Sequence, residues 1–219
     1  VKSSILIRII VFLLIYFGLR QYGGVMGNKI LYPINLLVTF LHELGHGLGA
    51  IITGGEVDRI QISQDGSGYT ATIGGNRAII LMGGYLGSAI FGNILFYIGA
   101  RVQSLVKPVL ALLAASMLFT AMYWFNSIFT TGFLFLFSAA ILLIIWKTNF
   151  GREVLMFLGL TTIIYIIQDF NVGPSSDLSR YAEVMVILPA SAWKYLWLFI
   201  ALALFFINMR LLFKTPDYE

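Results

Sequence analysis

The chain is a succession of apolar runs, each approaching the ~20 residues a helix needs to cross a bilayer core, and this constrains its fold more than any other feature. Runs near residues 4–19, 32–52, 78–100, 108–125, 132–146, 154–168 and 193–213 carry few charges and are divided by short polar or glycine-containing breaks. Hydrocarbon tolerates only backbone whose hydrogen bonds are satisfied internally, so runs of this length read as helices. Of 219 residues, 59% are hydrophobic and 11% charged. Soluble domains are roughly a quarter charged, so no separate soluble domain is expected. The expected fold is an all-α polytopic membrane protein of about six to seven transmembrane helices, forming a single domain over residues 1–219. The first run, SILIRIIVFLLIYFGLR, is followed by no small-x-small cleavage site before QYGGVMG. It reads as a span and not as a secretory signal.

A net charge of +4 and a pI near 9.3 would suggest nucleic acid as a partner of a soluble chain. Here the basic residues stand singly between apolar runs, which is the pattern of membrane loops and excludes a nucleic-acid surface. If seven spans cross, Arg20, Lys29, Arg101, Lys107, Lys147, Arg152, Arg210 and Lys214 share one side, and Lys2, Arg59, Arg77, Arg180 and Lys194 the other. The positive-inside tendency then makes the first side cytoplasmic, with the N-terminus outside and the C-terminus inside a plasma (inner) membrane. The chain has no cysteine, so a transition-metal site can draw only on histidine and carboxylate.

Residues 54–76, GGEVDRIQISQDGSGYTATIGGN, break the helical pattern. Val57, Ile60, Ile62, Tyr69 and Ile73 lie in β-favouring runs on either side of QDGSG, which predicts a small hairpin with a glycine-containing loop. An open strand edge is intolerable in bulk lipid, so the hairpin belongs at the interface or in a cavity. It is either a solvated surface feature or an edge that pairs with an extended substrate peptide. The third run carries Gly83 with Gly87 and Gly84 with Ser88 at four-residue spacing, which lets a neighbouring helix approach closely. Asn93 on the same run is expected to hydrogen-bond between helices.

The stretch FLHELGHGLGA, residues 40–50, holds both histidines of the chain. Residues i and i+4 share a helix face, so His42 and His46 can aim ring nitrogens at one ion, with Glu43 beside it. This is the H-E-x-x-H arrangement, in which two neutral imidazoles hold Zn²⁺ and the glutamate serves as general base toward a water. Histidine and glutamate are costly inside a membrane helix and mark a functional site there. Gly45, Gly47 and Gly49 thin the same helix and allow a partner or a substrate backbone to come near.

The stretch HELGHGLGAIITGGEVDRI, followed by GGYLGSAIFGN, resembles the site-2 protease class of intramembrane zinc metallopeptidases, in particular its B-like peptidase branch. The resemblance covers most of the chain and is strongest over residues 42–55. It implies a polytopic fold with zinc inside the bilayer, a hairpin after the first motif, and cleavage of membrane-spanning or membrane-associated polypeptides.

A catalytic zinc needs a third protein ligand. Outside the motif, the hairpin, the loops and the tail, acidic residues remain only in QDFNVGPSSDLSRYAE, as Asp169, Asp177 and Glu183. Asp177 is preferred because it follows a glycine, proline and serine run and opens a short helical stretch, while Asp169 at the end of the sixth span is the alternative. The resemblance also points to Asp177, although its usual Leu-Asp-Gly setting here reads SSDLSR. Arg180 is expected to pair with a carboxylate or an interface lipid, and Glu153 to lie in a loop. The expected function is hydrolysis of peptide bonds by a zinc-activated water with Glu43 as base. The polar cavity is expected to open toward the cytoplasm, because His42 lies early in the second span. Two rivals share these residues: a transporter or channel with an ion or proton path, and a catalytically silent relative that binds membrane segments without cutting them.

Overall fold

A computed structural model describes residues 2–124, 127–168, 173 and 176–214. Its elements in order are α1 (Lys2–Tyr22), α2 (Gly24–Ile52), β1 (Glu56–Ile62), β2 (Gly68–Ile73), α3 (Arg77–Arg101), α4 (Gln103–Tyr123), α5 (Ile128–Lys147), α6 (Gly151–Gln168), α7 (Asp177–Met185) and α8 (Ala190–Lys214). Six of these helices, α1 to α5 and α8, are long and apolar enough to cross a membrane. The protein is therefore a multi-pass helical membrane protein with one small antiparallel hairpin. The remaining expected span, the sixth run at 154–168, is α6, with 18 residues. At 1.5 Å per residue it is ~27 Å long, and its side chains Leu155 and Met156 are fully buried among the other helices.

Two expectations change. Helix α2 begins at Gly24 and not near residue 32, because the break QYGGVMG shrinks to one residue, Gly23, followed by Gly24 at φ +53°. A glycine reaches that backbone region without the steric cost of a side chain, so the chain turns there at once. His42 consequently sits in the second half of a 29-residue helix and not early in its span. Glu153 lies in the first turn of α6 and not in a loop, where the positive end of the helix dipole favours an acid. Its Oε1 accepts from Arg8 Nη1 at 2.5 Å. The charge that interrupts the first apolar run is thereby paired with an opposite one from another helix.

The helices meet through small residues. Gly45 of α2 and Gly83 of α3 lie backbone to backbone, so that a Cβ on either would strike the other's main chain. A Cβ on Gly92 of α3 would stand 2.9 Å from the carbonyl oxygen of Gly159 in α6. Such contact replaces the hydrophobic drive that lipid cannot supply between helices. Asn208 of α8 donates to the carbonyl oxygen of Asn93 at 2.8 Å and to its Oδ1 at 3.1 Å, the interhelical bond expected of Asn93.

The hairpin forms where expected, with Asp58 making a bulge in β1 between Val57 and Arg59. It is not a free surface element. Ile60 and Ile62 are fully buried, and α2 holds the loop through Tyr32, which donates to Gln64 O at 2.6 Å, and Thr39, which donates to Gly66 O at 2.9 Å. The hairpin is thus laid along α2, over the turns that carry the histidines.

Candidate active site

The spacing that puts His42 and His46 on one face of α2 brings their Nε2 atoms to 3.1 Å from each other. Asp177, the first residue of α7, completes the triangle, with its Oδ2 3.1 Å from each nitrogen. Among the described residues these three form the group of histidine and acidic side chains able to hold one metal ion. The donor set fits: ligands about 2.0–2.2 Å from a tetrahedral zinc stand about 3.3 Å apart, close to the observed edges. His46 Nδ1 lies 2.7 Å from the carbonyl oxygen of Ile80. A carbonyl only accepts, so Nδ1 carries the hydrogen, and a neutral ring then turns the lone pair of Nε2 into the triangle.

Asp177 reaches this point because α7 is anchored by the buried side chains next to it and one turn on. Leu178 and Tyr181 are buried among Leu81 and Tyr85 of α3 and Trp193 and Trp197 of α8. Tyr181 meets both tryptophan rings edge to face, at centroid distances of 4.8 and 4.9 Å. Ser176 caps α7 by accepting from Ser179 N at 3.2 Å. Tyr85 also stands edge-on to the ring of His42 at 4.9 Å, so one aromatic cluster braces both metal-facing helices. The alternative ligand Asp169 lies outside the described residues, and Glu183 is not among the grouped acids.

Glu43 is buried on the wall of the same cavity, which has a volume of about 580 Å³. Its Oε2 accepts from Thr70 Oγ1 of β2 at 2.8 Å. A Cβ on Gly68 would stand 2.8 Å from Glu43 Oε1, so β2 passes directly over this carboxylate. The outer edge of β1 is closed at Ile62, whose N–H donates to Thr130 Oγ1 and whose carbonyl accepts from it, at 3.1 and 3.0 Å. Opposite and alternate residues of an antiparallel pair share this orientation, so Gly68 and Thr70 of β2 turn their main-chain groups away from β1. Both line the cavity, as does Asp65, whose carboxyl is held below the usual carboxylate range by the Ser67 hydroxyl and N–H.

Sequence reasoning missed Thr70, Asn35 and Gly84 as site residues. Asn35 falls on the stripe 35, 39, 42, 46 of α2, lines the cavity and leaves its buried Oδ1 without a partner among the described residues. That stripe is readable from helical periodicity once the histidines are fixed. Gly84 abuts both imidazoles: its Cβ would lie 2.6 Å from His42 Nε2 and 2.5 Å from His46 Cε1. Gly84→Ala is therefore expected to displace a ring and reduce bound metal, measured per purified chain, to well below half the wild-type content. Full retention would show that α3 yields at this contact.

Three candidate ligand atoms facing a cavity with a carboxylate on its wall form the open arrangement associated with catalytic metal sites, unlike the closed shell of structural ones. Comparison with curated proteins returns no match, and neither does comparison with solved structures. Residues 5–208 match the family model described as Peptidase M50B-like, and by this match over nearly its whole length the chain belongs to that family of membrane metallopeptidases.

Proposed function

We propose that the protein is a zinc-dependent intramembrane endopeptidase that hydrolyses peptide bonds of membrane-spanning or membrane-associated polypeptides. The observation that carries this reading is the convergence of His42, His46 and Asp177 on the cavity that Glu43 borders. When bound, zinc supplies Lewis acidity, bringing the pKa of a water to about 7 and polarising a carbonyl. Glu43 takes a proton from the attacking water and returns it to the leaving amine as the amide C–N bond breaks. The Thr70 hydroxyl holds Glu43 Oε2 in one orientation throughout. Substrate helices must unwind locally to expose a carbonyl, and the outward main-chain groups of Gly68 and Thr70 offer the unwound segment a strand to pair with. Purified protein should hold one zinc per chain and cleave membrane-embedded reporters. Zinc-free protein that acts normally after His42→Ala and His46→Ala would overturn the reading.

Counting α6 as a span beside the other six gives seven crossings, and with them we propose an orientation with the C-terminus cytoplasmic. The chain has no native cysteine, so single substitutions report cleanly. Thr148→Cys, between α5 and α6, is expected to react with an impermeant thiol reagent from the cytoplasmic face only. Ser191→Cys, exposed in the first turn of α8, is expected to be closed to that reagent from the same face. The reverse pattern would invert the protein in its membrane.

A further inference from the structure

We infer that Arg77 and Arg180 form an anionic subsite that selects substrates bearing a carboxylate two to four residues from the scissile bond. The inference rests on the peptidase reading and adds a substrate class to it. Both arginines line the cavity that holds Glu43 and the histidine–aspartate triangle. Arg77 precedes Gly84, the residue against both imidazoles, by seven positions, which places it two turns away on the same face of α3, or ~10 Å. Arg180 follows Asp177 by three positions, one turn along the same face of α7. An extended peptide advances ~3.3 Å per residue, so ~10 Å corresponds to about three residues from the reacting carbonyl.

No structural role accounts for this pair. Arg8 and Arg59 make ion pairs, and Arg152 donates to the carbonyl oxygens of Gly99 and Ala100. Arg77 and Arg180 are exposed, and among the described residues neither side chain has an ion-pair or hydrogen-bond partner. Each also stands near a helix N-terminus, Arg77 as the first residue of α3 and Arg180 as the fourth of α7, where the helix dipole opposes a cation. Two such cations lining one cavity suit an incoming anion. A guanidinium offers a carboxylate paired N–H donors, and extended substrate running along β2 would carry such a group past both.

The test uses the intact chain in vesicles of neutral lipid, with a parallel series of rising anionic lipid content, and reporters of one membrane-spanning sequence with Glu or Gln two to four residues on either side of the cut. A second pair, ending at that position in a free carboxylate or an amide, separates a chain terminus from an acidic side chain as the source. Wild type is expected to cleave the carboxylate reporters with kcat/KM at least about tenfold higher, the scale of one charged hydrogen bond. In Arg77→Gln/Arg180→Gln the ratio should fall to about one, chiefly through KM, with metal content as in wild type. Arg77→Glu/Arg180→Glu should turn the preference toward a Lys reporter, which a merely structural role would not do. A wild-type ratio of one, or a ratio unchanged in the double Gln variant, overturns the subsite while leaving the peptidase intact. A rate that follows the anionic lipid content of the vesicles and not reporter charge assigns the arginines to headgroup phosphate and also overturns it. Wild type that cuts none of the reporters, like Glu43→Gln, removes the peptidase reading and the subsite with it.

Discussion

Glu43→Gln should keep its zinc and lose cleavage by about a hundredfold to ten-thousandfold, the range over which a positioned general base contributes. Glutamine matches glutamate in size, which matters because Glu43 is clamped between α2 and β2: a Cβ on Gly68 would already lie 2.8 Å from its Cγ. The Thr70 hydroxyl can donate to the amide oxygen as it does to Oε2, so the substitution removes the proton acceptor with little change of shape. Neither His42, His46 nor Asp177 is altered, and metal content should match wild type. The measurement is single-turnover cleavage of an embedded reporter beside metal analysis of the same preparation. A relative that only binds membrane segments would be indifferent to the change, and a proton path would lose transport with no cleavage to lose. Cleavage at more than a tenth of the wild-type rate would show that another group takes the proton.

The α2 half of the site was legible because it is local. Two histidines four apart around a glutamate share a helix face by geometry alone, and their cost in an apolar run argues against chance. The hairpin was legible for a similar reason, since alternating β-favouring residues around QDGSG have few other ways to fold. Gly83 and Gly84 announced a close approach, and the structure sets them against Gly45 and the imidazoles. The remainder depends on tertiary placement. Asp177 meets His42 across 135 positions, guided by aromatic packing that no short motif records, and its local sequence lacks the glycine expected beside it. Thr70 reaches Glu43 only because Tyr32 and Thr39 pin the hairpin loop to α2. The start of α2 was hidden because glycines that read as a loop here make a one-residue turn. Glu153 read as a loop residue because its partner, Arg8, lies on another helix.

Asp177→Ala should strip the metal, whereas Asp169→Ala should leave it bound. With the aspartate removed, the histidines lose the anionic member of a triangle whose edges are all 3.1 Å, and two neutral imidazoles are left to hold a divalent cation. Losing even an outer-shell partner of a metal ligand costs ~10–100-fold in affinity, so losing a ligand outright should cost at least about a hundredfold. The expected signature is thermal. A metal that binds only the folded chain stabilises it by mass action, so a chelator should lower the melting temperature of wild type and of Asp169→Ala. Asp177→Ala should melt at the same temperature with or without chelator, because it has no metal to surrender. Its fold should otherwise persist, since Leu178 and Tyr181 still anchor α7 in the aromatic cluster. If Asp169→Ala instead proves insensitive to chelator and Asp177→Ala responds as wild type does, the two aspartates exchange roles, and α7 becomes a wall of the cavity without a ligand on it.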